Sequence, residues 1–164
     1  MNKRGHVLNA VLLAVGIGYV LEPSGDTPTF VTIAEISVPI VLGALFPDVD
    51  TAFGKHRKTL HNLLVLGIFL AYPVVFGNLQ YVWVGVLTHY VLDLLGSRRG
   101  IALFYPLEKE YSLPFGVPVS SNWADAVTFA VTVVEVLAFA FVHYYVLPLD
   151  ATQQALAAVG AVGV

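Results

Sequence analysis

Cysteine is absent from the 164 residues. Disulfides and thiolate ligands are therefore excluded, and any metal must be held by nitrogen and oxygen donors. Charge is scarce as well: 12% of the residues are Asp, Glu, Lys or Arg, where a soluble globular domain carries about one quarter. Together with a hydrophobic share of 57%, this predicts an all-α, polytopic membrane helix bundle rather than a soluble fold. The chain has no basic patch and no helix-turn-helix pattern, which argues against a nucleic-acid partner. It also has no internal repeat and no room for a separate soluble module, so residues 1–164 read as a single integral membrane domain.

Five apolar segments are expected to span the membrane: residues 5–21, 30–46, 62–77, 80–96 and 124–147. The first four run to about 25 Å of helix each, at the short end of what crosses a bilayer. Lys3 and Arg4 ahead of a short apolar run also fit a cleaved signal peptide, but Glu22-Pro23-Ser24-Gly25 offers no small-x-small cleavage pattern. The Ala/Val/Gly-rich tail, residues 151–164, is too short to cross and is expected at the interface. All eight Lys and Arg residues fall before span one, between spans two and three, or after span four. By the positive-inside rule the N-terminus and both long loops are then cytoplasmic, in a multi-pass protein of a cell membrane (inner or plasma).

Residues 82–96 place charge inside this apolar setting. His89 and Asp93, four residues apart around Tyr90, leave one face of a helix one turn apart, with Gly85 one turn before. Val84, Leu87, Val91, Leu94 and Leu95 are expected to face lipid. An ionisable pair at membrane depth is costly unless it is paired, hydrated or metal-bound. Other polar residues gather at the same depth. His6 opens span one with Asn9 a turn further on, Asp48 and Asp50 close span two, and His56, Arg57 and His61 follow. Taken singly, each has a bland reading as a helix cap, a turn, a lipid-holding basic loop or an internal ion pair. Together they deliver four histidines and three aspartates to one membrane face. That composition suits zinc, manganese or iron, and the seven candidates His6, Asp48, Asp50, His56, His61, His89 and Asp93 suffice for one or two divalent ions.

The ordered set Pro47-Asp48-Val49-Asp50, His56-Arg57 with His61, His89-x-x-x-Asp93, Gly100-Ile101 and Tyr105-Pro106 resembles the YdjM-like family of membrane-bound proteins described as metal-dependent hydrolases. The resemblance covers about residues 1–107, with His6 where those proteins carry a histidine before the first apolar run. The family's usual Thr-His-Ser around the second loop histidine reads Leu60-His61-Asn62 here, and its threonine after the helix aspartate reads Gly96. The resemblance implies a hydrolase.

In an enzyme, bound metal would activate a water, Asp50 is the expected proton acceptor, and Arg57, flanked by Lys55 and Lys58, is expected to grip a phosphate at headgroup level. Membrane lipid is the expected partner and a lipid or other phosphoester the leading substrate class. Proton or metal-ion transport and a metal-stabilised scaffold stay open as alternatives, with Glu35 and Glu135 as candidate continuations of a pathway. Glu135 shares a helix face with Asp125, Thr128 and Thr132. His143, beside Tyr144 and Tyr145, reads as an interfacial belt residue, and Arg98 and Arg99 as topology anchors.

Overall fold

A computed structural model describes residues 3–95, 99–113, 121 and 123–146. Among the described residues five helices follow in order: α1 (Lys3–Leu21), α2 (Thr27–Leu45), α3 (Leu63–Phe76), α4 (Val82–Leu95) and α5 (Ala124–Phe141). A 3-10 turn, Pro47–Ala52, prolongs α2, and a π-type turn, Val142–Val146, prolongs α5. The only extended pairing among the described residues is one antiparallel bridge between Ile101 and Tyr111. The fold is an all-α bundle.

Local chemistry sets the helix ends. Asp26 precedes α2 in extended conformation, and a proline follows at the first positions, where its missing N–H costs nothing. This starts α2 at Thr27, three residues before the expected position 30. Asn62 caps α3 by accepting the Val65 amide at 3.1 Å. Gly77 closes α3 in the left-handed conformation (φ 67°) that glycine adopts without a Cβ clash.

Among the described residues three helical stretches are long and apolar enough to cross a membrane: Lys3–Leu21, Thr27–Ala52 and Ala124–Val146. The third and fourth expected spans are shorter apolar helices, Leu63–Phe76 and Val82–Leu95. At 14 residues each they reach only about 21 Å. The loss comes from their ends, where Asn62 is spent as a cap and residues 77–81 form the connection. The expected end of span five at 147, the tail 151–164, Gly96 and Arg98 lie outside the described residues.

The core lies where α1, α2 and α4 meet. Ala10, Leu13, Ala14 and Ile17 pack against Ile36, Ile40 and Ala44, with Tyr81, Val84 and Phe139 completing the cluster. Val84, expected to face lipid, is thus inside. The reason is the contact between α2 and α4, which is backbone on backbone. A Cβ on Gly85 would lie 2.0 Å from the Ile40 carbonyl oxygen, and one on Gly43 would lie 2.0 Å from that of Val82. Two glycines facing each other draw the helices together and carry the neighbouring Val84 into the core. One turn beyond Gly85, on the same face of α4, is His89.

Candidate metal centre

The helix ends that carry the polar residues come to one end of the bundle: the start of α1, the end of α2 with its 3-10 turn, the start of α3 and the end of α4. There the side chains form two groups whose ligand atoms lie within 4.8 Å of one another, His6 with His89 and Asp93, and Asp48 with His56 and His61. The first group is buried throughout. The second opens outward, its Asp48 and His56 side chains 13% and 41% exposed. The groups meet where His61 Nε2 stands 3.1 Å from His89 Nε2.

The outer nitrogens of these two rings are already assigned. His89 Nδ1 lies 2.6 Å from the Ala44 carbonyl oxygen, which can only accept, so Nδ1 carries the hydrogen. His61 Nδ1 lies 3.0 Å from Asp50 Oδ2, and an ionised carboxylate likewise only accepts. Both Nε2 lone pairs therefore point into the same small space. Something positive has to lie between them, either a proton on one imidazole or a metal ion.

The surroundings fit a metal. His6 stacks on His89 with ring centroids 3.8 Å apart and an 11° interplanar angle. It is buried, and neither of its nitrogens has a hydrogen-bond partner among the described residues, although Nε2 stands 3.3 Å from Asp93 Oδ1. A buried imidazole without hydrogen bonds is costly, and a ligated cation relieves that cost. Asp93 Oδ2 lies 3.5 Å from His61 Nε2 and 3.8 Å from His89 Nε2, and Asp48 Oδ1 lies 3.7 Å from His89 Nε2. Nitrogen and carboxylate atoms of both groups thus crowd one region.

Asp50 is placed differently from Asp48. It is fully buried, and its two oxygens lie 3.0 Å from His56 Nδ1 and 3.0 Å from His61 Nδ1. A carboxylate gripping two imidazoles by Nδ1 leaves both Nε2 atoms as donors to a metal, and it fixes the ring planes. Arg57 points inward, with one guanidinium nitrogen 3.7 Å from Asp93 Oδ1 and another donating to the Arg99 carbonyl at 2.9 Å. Its backbone adopts φ 68°, an uncommon conformation for a residue with a side chain, and its carbonyl accepts the Ala102 amide at 3.0 Å. The flanking lysines are engaged outside the site: Lys55 pairs with Glu108 at 2.7 Å and Lys58 with Glu110 at 3.1 Å. The Glu108 carboxylate holds the exposed Lys55 ammonium above its usual range, chiefly by their hydrogen bond, and Glu108 is held below the usual carboxylate range by the same bond.

Several positioning contacts had no signal in the sequence. The Ala44 carbonyl is one. Tyr90 is another: its hydroxyl reaches the Leu60 and Asn62 carbonyl oxygens at 2.6 and 3.1 Å, bracketing His61 from both sides. Residues 99–113 cover the 55–63 loop, tied down by Leu63 N to Leu103 O at 2.9 Å and by the paired bonds between Ile101 and Tyr111. Gly100 lets that cover lie flat, since a Cβ there would meet the Tyr111 carbonyl oxygen at 2.5 Å. Below the centre, Asn9 donates to Thr132 and Glu135 at 2.9 and 2.8 Å, and Thr88 lies 2.6 Å from both Asn9 Oδ1 and Glu135 Oε1. This network ties α1, α4 and α5 together one step from His6 and His89. Glu35 is exposed on α2, away from it.

A family model described as YdjM inner membrane protein matches residues 1–158. The chain belongs to the YdjM family. The match runs past residue 107, so α5 and the Glu135 network belong to the family region too, and together with the apolar helices it places the chain among membrane proteins. At the point where this YdjM-family chain carries Asn62, the side chain supplies the helix cap that a serine would supply, while its amide also donates to the Lys58 and Thr59 carbonyls at 3.1 and 2.9 Å. No curated protein and no solved structure matches the chain.

Proposed function

We propose that this protein is a membrane-embedded metal-dependent hydrolase acting on a phosphoester, with a lipid phosphoester as the leading substrate class. The observation that carries the reading is the opposed pair of His61 and His89 Nε2 atoms at 3.1 Å, each with its Nδ1 already committed. His6, His89 and Asp93 would hold one divalent ion and Asp48, His56 and His61 a second, zinc or manganese being suited to nitrogen and carboxylate donors. Such an ion supplies Lewis acidity toward a phosphoryl oxygen and makes water a usable nucleophile near neutral pH.

The chain's own residues have distinct parts. Asp50, expected as the proton acceptor, has both oxygens occupied by imidazoles, so its role here is to orient His56 and His61. Asp48, partly exposed at the mouth and near His89, takes over as the carboxylate able to accept a proton. Arg57 lies at the edge of the centre, where its planar fork can leave Asp93 for phosphate oxygens. The N-terminus and the two long loops would be cytoplasmic, as the placement of all eight Lys and Arg residues favours, which puts the mouth at the cytoplasmic headgroup layer. The whole chain would act as one multi-pass domain.

Transport is the weaker reading. The polar chain below the centre ends at Glu135, and the lining beyond it consists of side chains such as Leu13, Ile17 and Phe139. The test is metal analysis of detergent-purified protein, followed by phosphoesterase assay with zinc or manganese added. Stoichiometric metal with turnover of a phosphoester is the expected result. Metal-free protein that takes up none on addition would overturn the proposal.

A further inference from the structure

The outward row of α2 does not stop where the helix does. Val38, Leu42 and Phe46 are exposed one turn apart, and Val49 and Phe53 continue the row across the 3-10 turn that carries Asp48 and Asp50. Between Glu35, exposed on α2, and Lys55, every exposed side chain is uncharged. Thr51 is the exposed hydroxyl among them, and it donates to the Asp48 carbonyl at 2.8 Å, so it asks nothing of water. From Glu35 to Phe53 the helix and its turn rise about 30 Å, about the thickness of the hydrocarbon core of a bilayer. An exposed carboxylate belongs at one boundary of that core, and Phe53 then stands at the other. A second apolar turn lies against the loop that follows Phe53, because Lys55 pairs with Glu108. In it Phe104 and Leu107 point outward, Leu107 at 68% exposure and Phe53 at 66%. Its amides are spent internally, Tyr105 N on Ala102 O at 3.0 Å and Leu107 N on Phe104 O at 2.9 Å, and Pro106 has none. Such a turn can lie against lipid without stranding these donors.

We infer that these two turns are seated in the membrane, with Val49, Phe53, Phe104 and Leu107 against the acyl chains at the edge of the leaflet, so that lipid forms the outer wall of the His/Asp centre. The occupant follows from continuity: Val49 and Phe53 prolong the outward row of a stretch long and apolar enough to cross the membrane. Asp48 and Asp50 flank Val49, so the residue between two candidate ligands faces out while Asp50 is buried against His61. The seating does not depend on hydrolysis. Its consequence for substrate rests on the hydrolase reading: the leaflet becomes the source, and a lipid phosphoester reaches Asp48 sideways with its chains still among lipid.

The chain lacks cysteine, so a cysteine introduced singly carries one nitroxide label. Val49→Cys, Phe53→Cys and Leu107→Cys test the two turns in the full chain, reconstituted in vesicles of phosphatidylcholine and phosphatidylglycerol. Val38→Cys, on the same row of α2, is the lipid reference, and Asn78→Cys, exposed in the connection between α3 and α4, is the water reference. Oxygen concentrates among acyl chains, and a neutral nickel chelate stays in water. Labels at 49, 53 and 107 should collide more with oxygen than with nickel, as at 38, and the label at 78 should show the reverse. Three sites keep the test decisive should one variant fail to fold. Labels at 53 and 107 that behave like the one at 78 would overturn the seating. So would spin–spin broadening at 53 or 107, which would assign the patch to a second copy of the chain. Lipid-like labels in a protein that turns over no phosphoester support the seating and remove the hydrolase. Water-like labels in a protein that does turn one over remove the seating and leave the hydrolase standing.

Discussion

Gly85→Ala adds one methyl group one turn of α4 before His89, and it should weaken metal binding. The new Cβ would lie 2.0 Å from the Ile40 carbonyl oxygen and 2.6 Å from the Ala44 amide nitrogen, against a closest tolerated approach of 3.0 Å. Those atoms are backbone, so α2 and α4 must part by about 1 Å. The Ala44 carbonyl that receives His89 Nδ1 at 2.6 Å belongs to that same stretch of α2. A 1 Å separation along the bond takes it to about 3.6 Å, where a hydrogen bond no longer counts as one. His89 then loses the contact that fixes its tautomer and ring plane, a kind of loss that lowers metal affinity by roughly 10–100-fold. Gly67→Ala is the control, because a Cβ there meets nothing within 4 Å. Zinc affinity measured by competition with a chelator should fall in Gly85→Ala and stay unchanged in Gly67→Ala. Equal affinity in the two variants, both folded, would refute the argument that helix spacing sets the geometry of the centre.

Other substitutions separate the parts of the site. His89→Ala should lower metal content more than Glu135→Gln, since Glu135 lies in the network below the centre; equal losses would count against His89 as a ligand. Asp50→Asn should weaken metal binding by roughly 10–100-fold, the effect of removing a carboxylate that orients imidazoles. Should Asp50→Asn instead keep parental affinity and lose all turnover, Asp50 is the proton acceptor after all. Arg57→Lys should keep metal and fold yet slow phosphoester turnover, because one point charge replaces a two-pronged donor; a variant as active as the parent makes Arg57 a topology anchor. The Lys55–Glu108 pair should hold the cover 99–113 only at intermediate pH. Glu108, with its pKa lowered, contributes above its unfolded value and loses the contribution as pH falls through the folded one. Lys55, with its pKa raised, contributes below its unfolded value and loses the contribution as pH rises through the folded one. Limited proteolysis within 99–113 should therefore increase in acid and in strong base, and increase at neutral pH in Glu108→Gln. A cleavage rate independent of pH would show that the backbone bonds alone hold the cover.

Sequence alone determined the class of this protein and the His and Asp residues that compose its candidate centre. The scarcity of charge and the apolar runs dictate membrane helices, because hydrocarbon leaves a helix as the means by which a single segment satisfies its own backbone. The seven His and Asp candidates were legible because ionisable groups at membrane depth are expensive and stand out against their neighbours. Sequence could not assign their roles. Asp48 and Asp50 differ by two positions in one turn, and only the packing of the 56–61 loop decides that Asp50 lies between two imidazoles while Asp48 faces the mouth. Val84 reads as lipid-facing from periodicity, yet the Gly43–Gly85 contact, a meeting of residues far apart in the chain, buries it. The Ala44 carbonyl is invisible in any sequence, since every residue has one. Its part in holding His89 comes from how closely two helices approach, and that distance is a property of the folded bundle.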